Sequence, residues 1–325
     1  MRQTEILLAS RVPPFLMASL EQHFVIHPRD PMPAPEVIHP RDPMPAPEVL
    51  ARIRAIVGGG EAKIDKALMD QLPALEMISI CGVGYDGVDV AAAIARGVPV
   101  THTPEVLNDD VADLAIALML SIGRQLPQSD QFVRANQWVN GPFPLSRKVS
   151  GAQLGIVGIG RIGQAIAKRA AAFDMQISYN ARSAKADLPY TFVADVVQLA
   201  SQVDFLIVIT PGGAGTRHLI NADVLKALGA NGYLINVARG SVVDEAALIE
   251  ALQNKTIAGA ALDVYADEPR VPEALRQLAN VVLTPHMASG TAQTRKAMSD
   301  LALANLQAHL AGQPLRTPVP ECRAK

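Results

Sequence analysis

Six residues near the middle of the chain, Gly158-Ile159-Gly160-Arg161-Ile162-Gly163, constrain its fold more than any other stretch. They stand between a short apolar run at 154–157, which reads as a buried strand, and an alanine-rich run at 162–173, which reads as a helix. In that setting a glycine-rich turn lets backbone N–H groups approach a pyrophosphate at the positive end of the helix dipole. A tight turn that packs helix on strand with no ligand is the competing reading, and residues elsewhere must separate the two. Because the motif sits mid-chain, a segment of comparable size precedes it.

Short apolar runs alternate with helical patterns almost throughout. Strands are expected at 6–9, 24–26, 55–57, 77–80 and 98–101. After Gly151 they resume at 154–157, 176–179, 205–209, 233–236, 257–262 and 281–283. Such alternation implies right-handed βαβ crossovers and parallel sheets, and its fresh start at Leu154 implies two sheets. A chain of 325 residues has room for two cores. One long helix is expected over 104–122, with Pro104 in its first turn, carrying the chain from the first unit to the second. A final helix over 291–311 returns it.

Residues 25–36, Val-Ile-His-Pro-Arg-Asp-Pro-Met-Pro-Ala-Pro-Glu, are repeated without change at 37–48. Two proline-rich copies do not make a solenoid. The first copy should finish a strand and the second should lead into a helix over 47–54, so the extra length should bulge as a mobile surface loop. A proline-rich docking segment is the functional alternative.

The net charge of −2, with both signs interspersed, offers no basic stripe for nucleic acid. Cys81 and Cys322 lie far apart and form neither a disulfide framework nor a metal-ligand spacing, which favours a reducing compartment. No signal-peptide pattern, membrane-length apolar run or metal site is read, so a cytoplasmic location is expected.

Two further clusters bear on chemistry. About 20 residues beyond the glycines, where NAD-binding enzymes place a carboxylate for the ribose 2′-OH, the chain holds Asn180, followed by Arg182 and Ser183. A carboxylate would repel a 2′-phosphate and a guanidinium can pair with it, so the pattern favours NADPH over NADH. A solvated surface arginine is the bland reading. Downstream, Arg239, Glu268 and His286 each fall just past an expected strand end, the edge where open α/β sheets bind ligands. Singly they read as a surface ion pair, a residue at a helix start and a loop histidine. Together, beside a dinucleotide turn, they suit a carboxylate-bearing carbonyl substrate.

These motifs, with Asn236-Val-Ala-Arg-Gly240, Leu262-Asp263, Asp267-Glu-Pro269 and Thr284-Pro-His286, resemble the D-2-hydroxyacid dehydrogenase family across nearly the whole chain. Asn108 to Leu114 and Tyr179 to Ser183 are similar to its glyoxylate/hydroxypyruvate and hydroxyphenylpyruvate reductase branch. The resemblance implies an α/β fold of two doubly wound parallel-sheet domains. A Rossmann dinucleotide domain (104–287) is inserted in a flavodoxin-like substrate domain (1–103 and 288–325), with the active site in the cleft. It implies that Arg239 holds the substrate carboxylate and 2-oxo group, and that His286 is the proton donor. Glu268 orients His286 and favours its protonated form. Val83 and Gly84 bind the substrate carboxylate through their backbone. The cofactor is met by Gly158, Gly160, Arg161, Ile162, Gly163, Asn180, Arg182, Ser183, Thr210, Pro211, Val237 and Asp263. Trp138 sits where relatives of this branch reach a neighbouring subunit's site, or else packs at a domain edge.

The leading expectation is an NADPH-preferring homodimer reducing glyoxylate and hydroxypyruvate, with no membrane or nucleic-acid partner. An NADH-using hydroxyphenylpyruvate or other D-2-hydroxyacid dehydrogenase is the near alternative. A dinucleotide-gated co-repressor that keeps the same three side chains is the alternative of another class, and measurable turnover separates it.

Overall fold

Apolar runs without polar alternation need cover on both faces, which central parallel strands provide. The computed structural model describes residues 3–29 and 44–323, so the loop expected from the duplication falls largely outside the described residues. The chain divides into two units, Met1–Leu107 with Gly290–Lys325, and Asn108–Ser289.

In the first unit five strands, β1 (Thr4–Leu8), β2 (Phe24–Pro28), β3 (Ile53–Gly59), β4 (Met77–Cys81) and β5 (Val100–Thr101), pair in parallel in the order β2-β1-β3-β4-β5. That is the flavodoxin-like doubly wound order. Its core joins Leu7, Ile53, Ile56, Ile78 and Ile80 to the surrounding helices, including Leu68 and Met69. The helix Ala292–Leu310 belongs to this unit and packs on β4 and on Pro14–His23.

In the second unit seven strands run parallel in the order β12-β11-β10-β9-β6-β7-β8. They are β6 (Gln153–Val157), β7 (Gln176–Asn180), β8 (Thr191–Phe192), β9 (Phe205–Val208), β10 (Tyr233–Asn236), β11 (Gly259–Leu262) and β12 (Val281–Leu283). Succession reverses at β6, which lies between β7 and β9, so the switch-point crevice opens beside β6. Among the described residues no helix is long and apolar enough to cross a membrane.

Two expectations on helices are corrected. The long helix begins at Asn108 and runs to Arg124. Glu105 has φ 75°, a left-handed conformation that no α-helix accommodates, so residues 104–107 stay outside it. The helix expected over 47–54 is only Pro47–Leu50. From Ile53 the chain is a strand between β1 and β4, where pairing outweighs local helical preference. Arg52, at the junction, reaches Glu5 with Nε–Oε1 at 2.7 Å, and Glu5 also meets His27 Nε2 at 2.9 Å. The guanidinium bond to Glu5, opposed by burial and reinforced by His27, holds that carboxyl below its usual range.

Candidate active site

The register of the second sheet aligns its strand ends in one row, Asn180, Val157, Val208, Asn236, Leu262 and Leu283. Every candidate site residue predicted in this unit, except Trp138, stands at or beyond that row. Gly158 follows β6, Thr210 and Pro211 follow β9, Val237 and Arg239 follow β10, Asp263 and Glu268 follow β11, and His286 follows β12.

The glycine turn has the shape a pyrophosphate requires. Gly158 has φ 104°, and a Cβ there would come within 2.9 Å of the Ile209 carbonyl and the Thr210 nitrogen. A Cβ on Gly163 would come within 2.1 Å of the Gly158 carbonyl, so only glycine lets the helix seat this close to the turn. Gly160 stands at the N-terminus of the helix Arg161–Ala171, and a Cβ there would meet nothing within 4 Å. A helix N-terminus that opens on such space suits a dinucleotide pyrophosphate, which backbone N–H groups and the positive end of the helix dipole attract.

At the end of β7 the Asn180 side chain turns inward and donates through Nδ2 to the Val193 and Ala194 carbonyls, at 3.0 and 2.8 Å. Its amide braces the strand end, and its neutrality leaves no carboxylate at that position. Arg182 and Ser183 are exposed, and Arg182 has no ion pair among the described residues.

Arg239 is held by its own turn. Buried Asn236 accepts from the Ala238 N–H at 3.0 Å and donates to the Arg239 carbonyl at 3.1 Å, closing the chain after β10. The Arg239 guanidinium donates to the Ala238 carbonyl at 2.8 Å. The following Gly240 lies so close to the Tyr265 carbonyl that a Cβ would overlap it, which brings the Arg239 turn against the segment leading to Glu268.

Glu268 and His286 form a dyad, with Nδ1 to Oε2 at 2.6 Å. The other carboxylate oxygen of Glu268 accepts from the Tyr265 N–H at 3.0 Å. Nδ1 is thereby committed, and Nε2 has no hydrogen-bond partner among the described residues. The Glu268 bond raises the His286 pKa above its usual value, against burial and the charge of Arg239. Burial pushes the Glu268 carboxyl up, but the hydrogen bond and charge of His286, the Tyr265 amide and Arg239 together carry it below the usual range. Each partner favours the charged form of the other, and Arg239 is near enough to act on both.

His286 has φ 49°, a left-handed conformation that costs a non-glycine residue roughly 1–2 kcal/mol. Asp263 supplies the constraint that holds it there. This carboxylate is fully buried and accepts from Thr284 Oγ1 at 2.6 Å, the Met287 N–H at 2.8 Å and the Ala288 N–H at 2.9 Å, bracketing His286 on both sides. Tyr265 Oη shares its one hydrogen between the Thr284 and Leu262 carbonyls, at 3.0 and 3.2 Å, tying β11 to the same loop, and burial pushes its hydroxyl up to about 12. Sequence reasoning did not assign Tyr265, Thr284 or Asn236 a part. For Asn236 the available signal was a polar residue closing the otherwise apolar β10.

Val83 and Gly84 lie in the first unit, half-buried in the turn after β4. Trp138 lies in the short turn Gln137–Asn140 and is 68% exposed.

Residues 116–288 match the family described as D-isomer specific 2-hydroxyacid dehydrogenase, NAD binding domain. The chain belongs to that family. It is 51% identical over 267 residues to the hydroxyphenylpyruvate reductase of Plectranthus scutellarioides, covering 82% of this chain and 85% of that one. It is 41% identical over 315 residues to the 2-ketogluconate reductase of Gluconobacter oxydans, covering 97% and 98%. Among solved structures, the NADPH-dependent glyoxylate/hydroxypyruvate reductase of Sinorhizobium meliloti, in complex with NADP and malonate, superposes with a TM-score of 0.89. It is 45% identical over the full length of both chains. This D-2-hydroxyacid dehydrogenase is therefore an enzyme, an oxidoreductase with a nicotinamide-dinucleotide domain, whose relatives act on 2-oxo acids.

Proposed function

We propose that the enzyme reduces glyoxylate and hydroxypyruvate to the corresponding 2-hydroxy acids, with NADPH preferred. The observation that carries this is the Glu268–His286 dyad, 2.6 Å across, beside Arg239 on the same sheet edge as the glycine turn. A reduced dinucleotide, held at the Gly158–Gly163 turn, would be the source of the hydride for the carbonyl carbon. His286 gives a proton from Nε2 to the carbonyl oxygen, and Glu268 keeps Nδ1 occupied and the ring charged. Arg239 offers its planar fork to the carboxylate and the oxygen on which charge builds. Val83 and Gly84 supply backbone N–H groups to the carboxylate. Asp263 keeps the His286 loop in place. Steady-state kinetics with NADPH and NADH against glyoxylate, hydroxypyruvate and hydroxyphenylpyruvate test the reading. Higher kcat/KM with hydroxyphenylpyruvate than with either small acid would transfer the assignment to the aromatic substrate.

The cofactor preference rests on Arg182, exposed and without an ion pair among the described residues past a strand end that lacks a carboxylate. Arg182→Ala is expected to raise the KM for NADPH about 10- to 100-fold, as loss of a charge-assisted contact would, and to leave NADH within about threefold. A wild-type preference for NADH defeats this part of the proposal.

The assembly we propose is a homodimer. The helix Leu126–Arg134 has no buried residue, and Leu126, Val133, Trp138, Val139 and Leu145 are exposed along one segment. Such an apolar array suits burial against a second copy. Sedimentation equilibrium at micromolar concentration is expected to give the dimer mass, and a monomer there would refute it.

A further inference from the structure

The turn after β4 is held from behind by a side chain with no part in the chemistry above. His102 is 7% exposed, and its Nδ1 lies 2.9 Å from the Val83 carbonyl oxygen. A carbonyl oxygen can only accept, so Nδ1 carries the hydrogen and the tautomer is fixed by the bond. The Val83 carbonyl and the Gly84 N–H belong to one planar trans peptide and point in opposite directions. Fixing the carbonyl toward His102 therefore aims the Gly84 N–H the other way, and a hydrogen bond to the carbonyl also strengthens that N–H as a donor.

His102 is itself locked. Its N–H donates to the Thr317 carbonyl at 3.2 Å, and its carbonyl accepts from Thr317 Oγ1 at 2.6 Å. Thr317 is held by fully buried Asn305, whose Nδ2 donates to Oγ1 at 2.8 Å and whose Oδ1 accepts from the Arg316 and Thr317 N–H groups at 3.0 and 3.1 Å. The imidazole also packs edge-on against Tyr85, 5.2 Å between ring centres, and Tyr85 Oη donates to Glu321 at 3.0 Å. A second bond, from the Thr103 N–H to the Gly82 carbonyl at 2.8 Å, fixes the start of the turn. The C-terminal segment thus reaches the turn through an unbroken polar chain inside one unit.

We infer that His102 is a positioning residue for the substrate carboxylate: its Nδ1–H bond to the Val83 carbonyl, backed by Thr317 and Asn305, sets the direction of the Gly84 N–H. This rests on the reading that Val83 and Gly84 receive the carboxylate. The test is kinetic, on the full-length enzyme with glyoxylate. His102→Leu keeps volume and removes the donor. It is expected to raise the KM about 10- to 100-fold, as loss of a well-aimed hydrogen bond to a charged carboxylate would, with kcat and NADPH affinity within about threefold. His102→Asn places an amide N–H near the Nδ1 position and should return the KM to within about threefold of wild type. A His102→Leu enzyme that melts like wild type with unchanged KM overturns the inference. So does a His102→Asn enzyme as impaired as the leucine variant, since ring packing would then be the whole effect. If His102→Leu does not fold, His102→Gln, whose amide reaches the Nε2 position instead, replaces it with the same expected rise. Gly84→Pro, with Val83→Pro as its second, removes an N–H from the turn and tests the underlying reading. If neither raises the KM, that reading falls and takes the inference with it. If they raise it and the His102 variants do not, only the inference falls.

Discussion

Replacing His286 with alanine is expected to lower kcat for glyoxylate reduction about 10³-fold, with NADPH affinity within about threefold of wild type. General-acid catalysis contributes about 10²- to 10⁴-fold, and the proposed mechanism gives that task to this one ring. Nδ1 is taken by Glu268 and the backbone is pinned by Asp263, so only Nε2 is open to give a proton. The pH dependence follows with a definite sign. The folded pKa of His286 is raised chiefly by the Glu268 hydrogen bond, so the charged ring persists above its usual titration range. Reduction should be level on the acid side and fall as pH rises through that raised pKa. Glu268→Gln removes the principal cause of the rise, so its falling limb should move toward lower pH. Turnover of the His286→Ala enzyme within tenfold of wild type would remove the proton-donor assignment.

The sheet of the second unit was largely legible because its strands are apolar, short and separated by regular helical patterns. With parallel strands, every residue just past a strand end falls on one edge, so Arg239, Glu268 and His286 could be grouped before any distance was known. Conformations set by a single residue were not legible. Nothing in the composition around Pro104 announces that Glu105 is left-handed and delays the helix to Asn108. The helical pattern at 47–54 gave way because Ile53 and the residues after it complete a sheet whose partners lie far away in sequence. Asp263 was placed at the right edge, but its grip on Thr284, Met287 and Ala288 depends on how the next loop returns across it. His102 escaped for the same reason. Its partners, Val83 and Thr317, are distant in sequence and meet only when both ends of the chain join one unit.

Arg239→Lys is expected to lower kcat/KM for glyoxylate about 10²- to 10³-fold, close to the loss from removing a preorganised oxyanion donor. The substitution keeps the charge, so a loss of this size would come from geometry. Guanidinium presents two parallel N–H groups in one plane and can hold a carboxylate oxygen and a carbonyl oxygen together, whereas ammonium is a single point. The Asn236 turn and the bond to the Ala238 carbonyl fix where that plane begins. Arg239→Met separates charge from shape. The positive charge of Arg239 lowers the His286 pKa, so removing it should move the falling limb of the pH profile toward higher pH, while the lysine enzyme keeps the wild-type limb. The two variants would then share a large loss of kcat/KM and differ in pH profile. A lysine enzyme within threefold of wild type would mean that charge alone suffices, and the bidentate role of Arg239 would be withdrawn.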